Sequence, residues 1–178
     1  MKDIVIDINL FDEASVNHAI RQVKEYRKWL DKKTAEFLER LSSEGVSIAN
    51  YRFESALYSG VNDVEVSFQK IREKEYAVIA LGQQTLFIEF GTGIYNPDNP
   101  AERAEVVSGD IVAHGKYGKG FGMHKKWAYQ GEAGNAGWPI ASKPGWSMTA
   151  GVPAQSCLYY SRRELQGLVT QIAREVFS

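Results

Sequence analysis

The chain has 178 residues, of which 44% are hydrophobic and 24% are charged, proportions that are ordinary for a soluble globular domain. Its formal net charge is −1, which argues against a protein that coats DNA or a membrane, because such partners select a basic surface. A single cysteine, Cys157, excludes an internal disulfide. No apolar run approaches a signal-peptide core or a membrane span. The sequence therefore predicts one domain over residues 1–178, made in a cytoplasm-like setting, with no membrane partner.

The N-terminal third of the chain predicts a short strand followed by two helices. Apolar and polar residues alternate over Ile4–Ile8, which favours the strand. Asp12 offers an N-cap, and apolar residues then recur at threes and fours to about residue 43, a helix about 45 Å long. Gly45 is expected to end this helix. Helical spacing resumes at Val46 and predicts a second helix that ends near Gly60.

Three strands are expected next, at residues 64–69, 75–81 and 84–90. The first alternates Val64, Val66 and Phe68 with polar residues, and the other two are short apolar runs. Gly82 and Gln83 separate the second strand from the third and suggest a tight hairpin. The three strands are interpreted as an antiparallel meander.

Composition changes between residues 91 and 154, which hold 12 of the 16 glycines, all five prolines and three of the four tryptophans. Apart from a brief apolar run at Ile111–Ala113, no period is sustained there. Disordered linkers are poor in aromatic residues, whereas this segment is rich in them. We therefore expect a long inserted loop at about residues 91–154. Much of its part from about Tyr95 to Trp146 is expected to order only on contact with adjacent subunits or rings, with Trp127, Trp138 and Trp146 as anchors.

A last helix is predicted to open at Pro153. Its apolar residues form one stripe: Leu158, Leu165, Leu168, Val169, Ile172 and Val176. The predicted fold class is thus α+β: an antiparallel meander packed with a long N-terminal helix and a C-terminal helix, with a long Gly/Pro/Trp-rich loop.

One segment, Leu86–Gly93 (Leu-Phe-Ile-Glu-Phe-Gly-Thr-Gly), carries a family resemblance. It resembles the hydrophobic-Glu-Phe/Tyr-Gly-Thr strand end of the small head–tail joining proteins of long-tailed bacteriophages and prophages. The order of elements is also similar over nearly the whole chain, since a small-Pro-Ala turn at Ala150–Gln155 leads into the last helix. The region from Asn96 to Trp146 is longer than in minimal members and resembles the extended version of some prophage relatives.

The resemblance implies a virion protein without catalysis or cofactor, assembled in the host cytoplasm as a ring, commonly sixfold. The ring would join a connector, adaptor or stopper protein to a tail-terminator or tail-tube protein, with DNA passing through its lumen as a further contact. A tail-terminator or minor tail subunit is the alternative within this class. The candidate interface residues are Glu89, Phe90, Gly91, Thr92, Gly93, Trp127, Trp138, Trp146 and Pro153.

The motif also has a physical account that does not depend on the resemblance. The Glu89 carboxylate, near the end of an apolar strand, is expected to accept hydrogen bonds from backbone amides or from an arginine of a neighbouring subunit. Gly91 and Gly93 allow positive φ, and Thr92 can cap the turn. A strand end that simply turns into a loop, with no partner contact, is the plainer interpretation.

The sequence contains no recognisable catalytic or metal-binding motif. The three histidines are His18, expected on the wet side of the first helix, and His114 and His124 in the loop. A small hydrolase using the loop histidines remains an alternative, but Cys157 lies in no nucleophile motif and is expected to be a small buried residue. One cysteine and three scattered histidines do not make a zinc site, and the loop glycines lack the Gly-Lys-Ser/Thr ending of a phosphate-binding loop.

Two basic stretches stand out. Residues 111–130 contain four lysines and no acidic residue: Lys116, Lys119, Lys125 and Lys126. The favoured interpretation is a flexible loop that contacts a neighbouring protein. These lysines would equally suit contact with DNA phosphates in the lumen of the ring, or a nucleic-acid-binding module. The first helix carries a second set, Arg21, Lys24, Arg27, Lys28, Lys32 and Lys33, interpreted as a solvated face with a lumen-facing strip as the alternative.

Overall fold

The computed structural model describes residues 5–9, 11–92, 126–152 and 154–178. Its elements in chain order are α1 (Glu13–Glu54), β1 (Glu65–Arg72), β2 (Glu75–Leu81), α2 (Thr85–Phe90), β3 (Trp127–Gln130), β4 (Gly137–Pro139), β5 (Trp146–Thr149) and α3 (Cys157–Phe177). Helices and antiparallel sheets occur together, with long helices at the N- and C-terminal ends, which confirms the predicted α+β class.

α1 is one continuous helix of 42 residues, so the predicted break at Gly45 and the separate second helix are wrong. Asp12 is its N-cap as expected, since its carboxylate accepts a hydrogen bond from the Ala14 amide. Gly45 is buried inside the helix, and a Cβ there would lie 3.1 Å from side-chain atoms of both Leu165 and Val78. The glycine therefore serves a close approach of neighbouring elements to α1. The predicted N-terminal strand is also wrong, because residues 5–9 have no regular secondary structure.

β1 and β2 form the predicted antiparallel pair, but their turn lies at residues 73–74 and not at Gly82 and Gln83. The third strand of the predicted meander is wrong, since residues 85–90 form the short helix α2. The Asp63 carboxylate accepts hydrogen bonds from the Gln83 and Gln84 amides, at 2.9 and 3.0 Å, and so holds the turn that leads into this helix. Gly91, at φ 75°, ends it.

A second sheet is formed by part of the segment that was predicted to be an aperiodic loop. β3 and β4 both pair antiparallel with β5, which is the central strand. The expectation of an aperiodic loop that orders on contact with other subunits is therefore wrong for residues 126–152, because they form this sheet within the single chain. Residues 93–125, including Ile111–Ala113, lie outside the described residues.

The small sheet attaches to the chain that follows α1 through backbone groups as well as side chains. The Gly134 amide donates to the Ser59 carbonyl at 2.8 Å, and the Ala136 amide donates to the Tyr58 carbonyl at 2.9 Å. A Cβ on Gly134 would lie 1.9 Å from the carbonyl oxygen of Gly60. Glycine is therefore required where these two backbones meet.

α3 confirms the predicted last helix, although it begins at Cys157; Pro153 itself lies outside the described residues. It packs antiparallel to α1, as the contacts of Glu164 with Arg52 and of Phe177 with Trp29 show. At the far end of this pair a buried cluster contains Phe53, Ala56, Ile88 and Cys157. The core thus lies where the end of α1, α2 and the start of α3 meet.

Candidate contact surfaces

The segment that carries the family resemblance joins α2 to the start of α3. Glu89 is 6% exposed, and its carboxylate accepts hydrogen bonds from the amides of Leu158 at 2.9 Å and Tyr159 at 3.3 Å. Ser156, at the N-cap of α3, makes no side-chain cap hydrogen bond. Glu89 therefore caps the first turn of α3 from outside that helix, where a negative charge also suits the helix dipole. Of the two partners expected for this carboxylate, the structure shows backbone amides.

Thr92 extends this junction on the other side of Gly91. Its amide donates to the Val152 carbonyl, and its hydroxyl accepts from the Val152 amide, both at 3.0 Å. The Ile88 and Glu89 carbonyls in turn accept from the amides of the two residues that precede Cys157, each at 3.0 Å. We call Glu89, Gly91, Thr92, Val152 and Leu158 the latch, because together they fix the segment before α3 against α2. Phe90 is half-buried beside it, and Gly93 lies outside the described residues.

Burial and hydrogen bonding act in opposite directions on the latch carboxyl. Burial raises the pKa of Glu89, and the backbone amides of Leu158, Tyr159 and Cys157 lower it, with the burial effect larger. Burial likewise raises the pKa of the Cys157 thiol to about 12, with a smaller contribution from the Glu89 charge. Cys157 is 2% exposed, which confirms the small buried residue expected and leaves the thiol without nucleophilic character at neutral pH.

The N-terminal part of α1 extends beyond α3 and the β1–β2 pair, which pack on the rest of this helix. α3 ends beside Trp29, where the rings of Phe177 and Trp29 are 6.4 Å apart. The β1–β2 turn ends beside Asp31, whose carboxylate accepts from the Lys74 ammonium at 2.8 Å. Residues 13–28 therefore project beyond both by about 24 Å at 1.5 Å per residue. We call this part of α1 the arm.

The arm bears an apolar stripe that its own chain covers only in part. Ala19 is 4% exposed, but Ile20 is 45% and Val23 is 52% exposed. Residues 5–9 run beside the arm, where Ile6 and Ile8 line a shallow groove with the stripe. Apolar residues at helical spacing normally face a core, whereas this stripe is about half exposed to solvent.

Most of the basic residues that the sequence singled out on the first helix are exposed to solvent. His18 is exposed as expected, and so are the basic residues Arg21, Lys24, Arg27, Lys28 and Lys32, whereas Lys33 is partly covered. The Lys33 ammonium lies 3.1 Å from the Glu36 carboxylate. Their exposure suits the solvated face that the sequence favoured.

The small sheet has one face toward the domain and one toward solvent. Trp127, Tyr129, Ser147 and Thr149 alternate onto the inner face, where the Thr149 and Ser59 hydroxyls are 2.5 Å apart and the Tyr129 hydroxyl donates to the Ser59 carbonyl. On the outer face, Gln130 accompanies six residues that we call the Trp–Lys face: Lys126, Ala128, Trp138, Lys143, Trp146 and Met148. The three predicted tryptophan anchors are thus divided between the two faces.

Two lysines of the Trp–Lys face lie over its indole rings. The Lys126 ammonium is 5.4 Å from the centroid of the Trp138 ring, and the Lys143 ammonium is 3.2 Å from that of Trp146. Trp138 is 41% exposed. Of the four lysines predicted to contact DNA or a neighbour, Lys126 lies on this face, and Lys116, Lys119 and Lys125 lie outside the described residues. Lys143 was missed because it lies beyond the basic stretch, and only the strand pairing brings it to this face.

The described part of the chain has neither a cluster of metal-binding side chains nor a helix that could span a membrane. Within residues 5–9, 11–92, 126–152 and 154–178, no group of three or more His, Cys, Asp or Glu side chains could hold a metal ion. Across the same part of the chain, no helix has the length and apolar character needed to cross a membrane. His114 and His124 lie outside the described residues. Comparison of the chain with protein-family models, curated proteins and solved structures found no match in any of the three.

Proposed function

We propose that this chain is a structural subunit of a ring at the head–tail junction of a tailed bacteriophage, where it joins the capsid connector to the tail. The function is geometric and involves no catalytic step. Each copy contacts the next through complementary surfaces until the ring closes, and its two faces meet the connector side and the tail side. The neck of the virion is the corresponding location.

The observation that carries this proposal is the arm of α1. It projects about 24 Å past the elements that stabilise the rest of the helix, with Ile20 and Val23 about half exposed. A helix of this length is marginal by itself in water, so packing of its apolar stripe on another surface would stabilise it. A second copy of the chain is the simplest such surface, because a head-to-tail contact of this kind repeats from copy to copy and closes into a ring when the rotation between copies divides a full turn.

The latch supports the proposal in a different way. It is built from the Glu-Phe-Gly-Thr segment that resembles the head–tail joining family, and it holds α3 in place against the core end of α1. A rigid α1–α3 pair would set the direction in which the arm leaves the domain. The arm of one subunit would then reach its neighbour at a fixed angle, which a closed ring requires.

Val23→Glu tests the role of the arm. A carboxylate in place of Val23 should block burial of the stripe against a neighbour, so we expect particles made with this variant to accumulate as separate heads and tails. Val23 is 52% exposed in the single chain, so the free energy of unfolding of the purified variant should stay within about 0.5 kcal/mol of the unmodified chain.

Val61→Glu is the matched control, because Val61 is 54% exposed and lies in the loop between α1 and β1, away from the arm. Particles made with this control should be joined normally, as judged by electron microscopy of negatively stained lysates. Normal joining with Val23→Glu, or an equal failure with Val61→Glu, would contradict the proposed role of the arm.

A further inference from the structure

The Trp–Lys face combines one exposed indole ring, that of Trp138, and one half-buried ring, that of Trp146, with positive charge on a rigid support. β5 is hydrogen-bonded on both edges, by β3 and by β4, and cross-strand pairing places Met148 between Ala128 and Trp138. The inner face of the sheet is fixed to Ser59 through Thr149 and Tyr129. The outer side chains therefore project from a sheet whose central strand is paired on both edges and whose inner face is hydrogen-bonded to the rest of the domain.

The charge around this face is positive, although the whole chain is slightly acidic. Residues 126–152 contain two lysines, Lys126 and Lys143, and one acidic residue, Glu132. The two lysines hold their ammonium groups over the rings of Trp138 and Trp146. An ammonium in this position keeps N–H groups that can donate to an incoming anion, and the indole N–H of each tryptophan is a further donor.

This combination distinguishes between two kinds of partner. The central part of a protein–protein interface favours tryptophan and methionine but is depleted of lysine. Surfaces that bind single-stranded nucleic acid pair exposed aromatic rings, on which bases stack, with lysines that neutralise phosphates. Trp138, at 41% exposure, is the ring most open to a base.

We infer that the Trp–Lys face binds single-stranded nucleic acid, with a base stacked on Trp138 and phosphates at Lys126 and Lys143. Binding is independent of base sequence, because it uses ring faces and phosphate charges and not base edges. The inference goes beyond a joining role and does not depend on ring formation. It concerns a surface opposite to the one that attaches the small sheet to the domain.

Fluorescence anisotropy of a labelled oligothymidylate, titrated with the purified full-length chain at low salt, tests the inference. Trp138→Ala should weaken binding by about fivefold or more, the lower end of what loss of a base–aromatic stack costs. Trp138→Phe keeps a ring for stacking and should retain most of the affinity. Replacing both Lys126 and Lys143 with alanine should lower the slope of log affinity against log salt by about 0.7 for each lysine.

The charge-matched control replaces Lys28 and Lys32, exposed lysines of α1 that lie far from the small sheet. It should bind nearly as well as the unmodified chain. Four results would overturn the inference: no binding at low salt, an equal loss in the control, binding to duplex DNA as tight as to the single strand, or unchanged binding by Trp138→Ala. Thermal melts that match across the variants ensure that none of these results reflects unfolding.

Discussion

Removal of the Glu89 carboxylate should loosen the attachment of α3. Glu89→Ala leaves the part-buried amides of Leu158 and Tyr159 without this acceptor, and an unsatisfied donor that is shielded from water costs about 1–3 kcal/mol. The hydrogen bond from the Tyr159 amide, at 3.3 Å, is the weaker of the two. Because the variant no longer buries a carboxylate, it also avoids the free-energy cost of desolvating that group, which offsets part of the destabilisation. We therefore expect the free energy of unfolding to fall by about 2–4 kcal/mol.

Glu89→Gln separates the hydrogen bonds from the charge. Its amide oxygen can still accept from one of the two backbone amides, so the free energy of unfolding should fall by only about 1 kcal/mol. Urea denaturation of both variants measures these differences. Glu39→Ala is the control, since Glu39 is an exposed residue of α1, and its effect should stay within about 0.5 kcal/mol. A Glu89→Ala variant as stable as this control would refute the capping role.

The pH dependence of the same variants gives an independent check. The pKa of Glu89 is raised in the folded chain, so between the ordinary value of 4.5 and the folded value the folded state binds more protons than the unfolded state. The stability contributed by this group is therefore full below pH 4.5 and declines as pH rises through the folded pKa. The advantage of the unmodified chain over Glu89→Gln should shrink over this window. An advantage that grows with pH would refute the reasoning.

Three further predictions concern other parts of the chain. Gly134→Ala should lower the melting temperature, because its Cβ would lie 1.9 Å from a backbone oxygen, whereas Gly167→Ala meets open space in α3 and should raise stability by about 0.5–1 kcal/mol. Hydrogen exchange on the free chain should show protected amides in β5, which is paired on both edges; unprotected amides there would contradict an independently ordered small sheet. Replacement of both His114 and His124 with alanine should leave joining intact or impair only assembly, and any hydrolytic activity lost in this double variant would contradict a non-enzymatic subunit.

Local pattern predicted much of the fold correctly. Asp12 as an N-cap, the β1–β2 strands and the apolar stripe of α3 each depend on neighbouring residues alone, and the structure confirms them. Gly45 was wrongly predicted to end the helix. A glycine is present at this position because of tertiary packing, since it lets Leu165 and Val78 approach α1. A glycine that ends a helix and one that admits a neighbour look the same in sequence.

The errors around α2 and the small sheet also have long-range causes. A short apolar run such as residues 84–90 suits a strand or a buried helix equally, and the turn that leads into the helix is held by Asp63, about twenty residues earlier. The strands of the small sheet are only three or four residues long, too short to show a period, and backbone bonds to Tyr58 and Ser59 hold them in place. Glu89 was correctly identified as a residue with a bonding role, but its helical position and its partners in α3 depend on this packing.

We propose that copies of this chain form a ring that joins head to tail. Light scattering should find the purified chain monomeric or weakly associated. The apolar stripe on the arm offers only a small contact area between two copies, and we expect the connector and tail proteins to hold the copies together in the particle. Cryo-electron microscopy of complete particles should show a closed ring of α1–α3 pairs between connector and tail, with each arm on the neighbouring copy. Joined, complete particles that lack this chain, or that contain it as an isolated monomer, would contradict the claim.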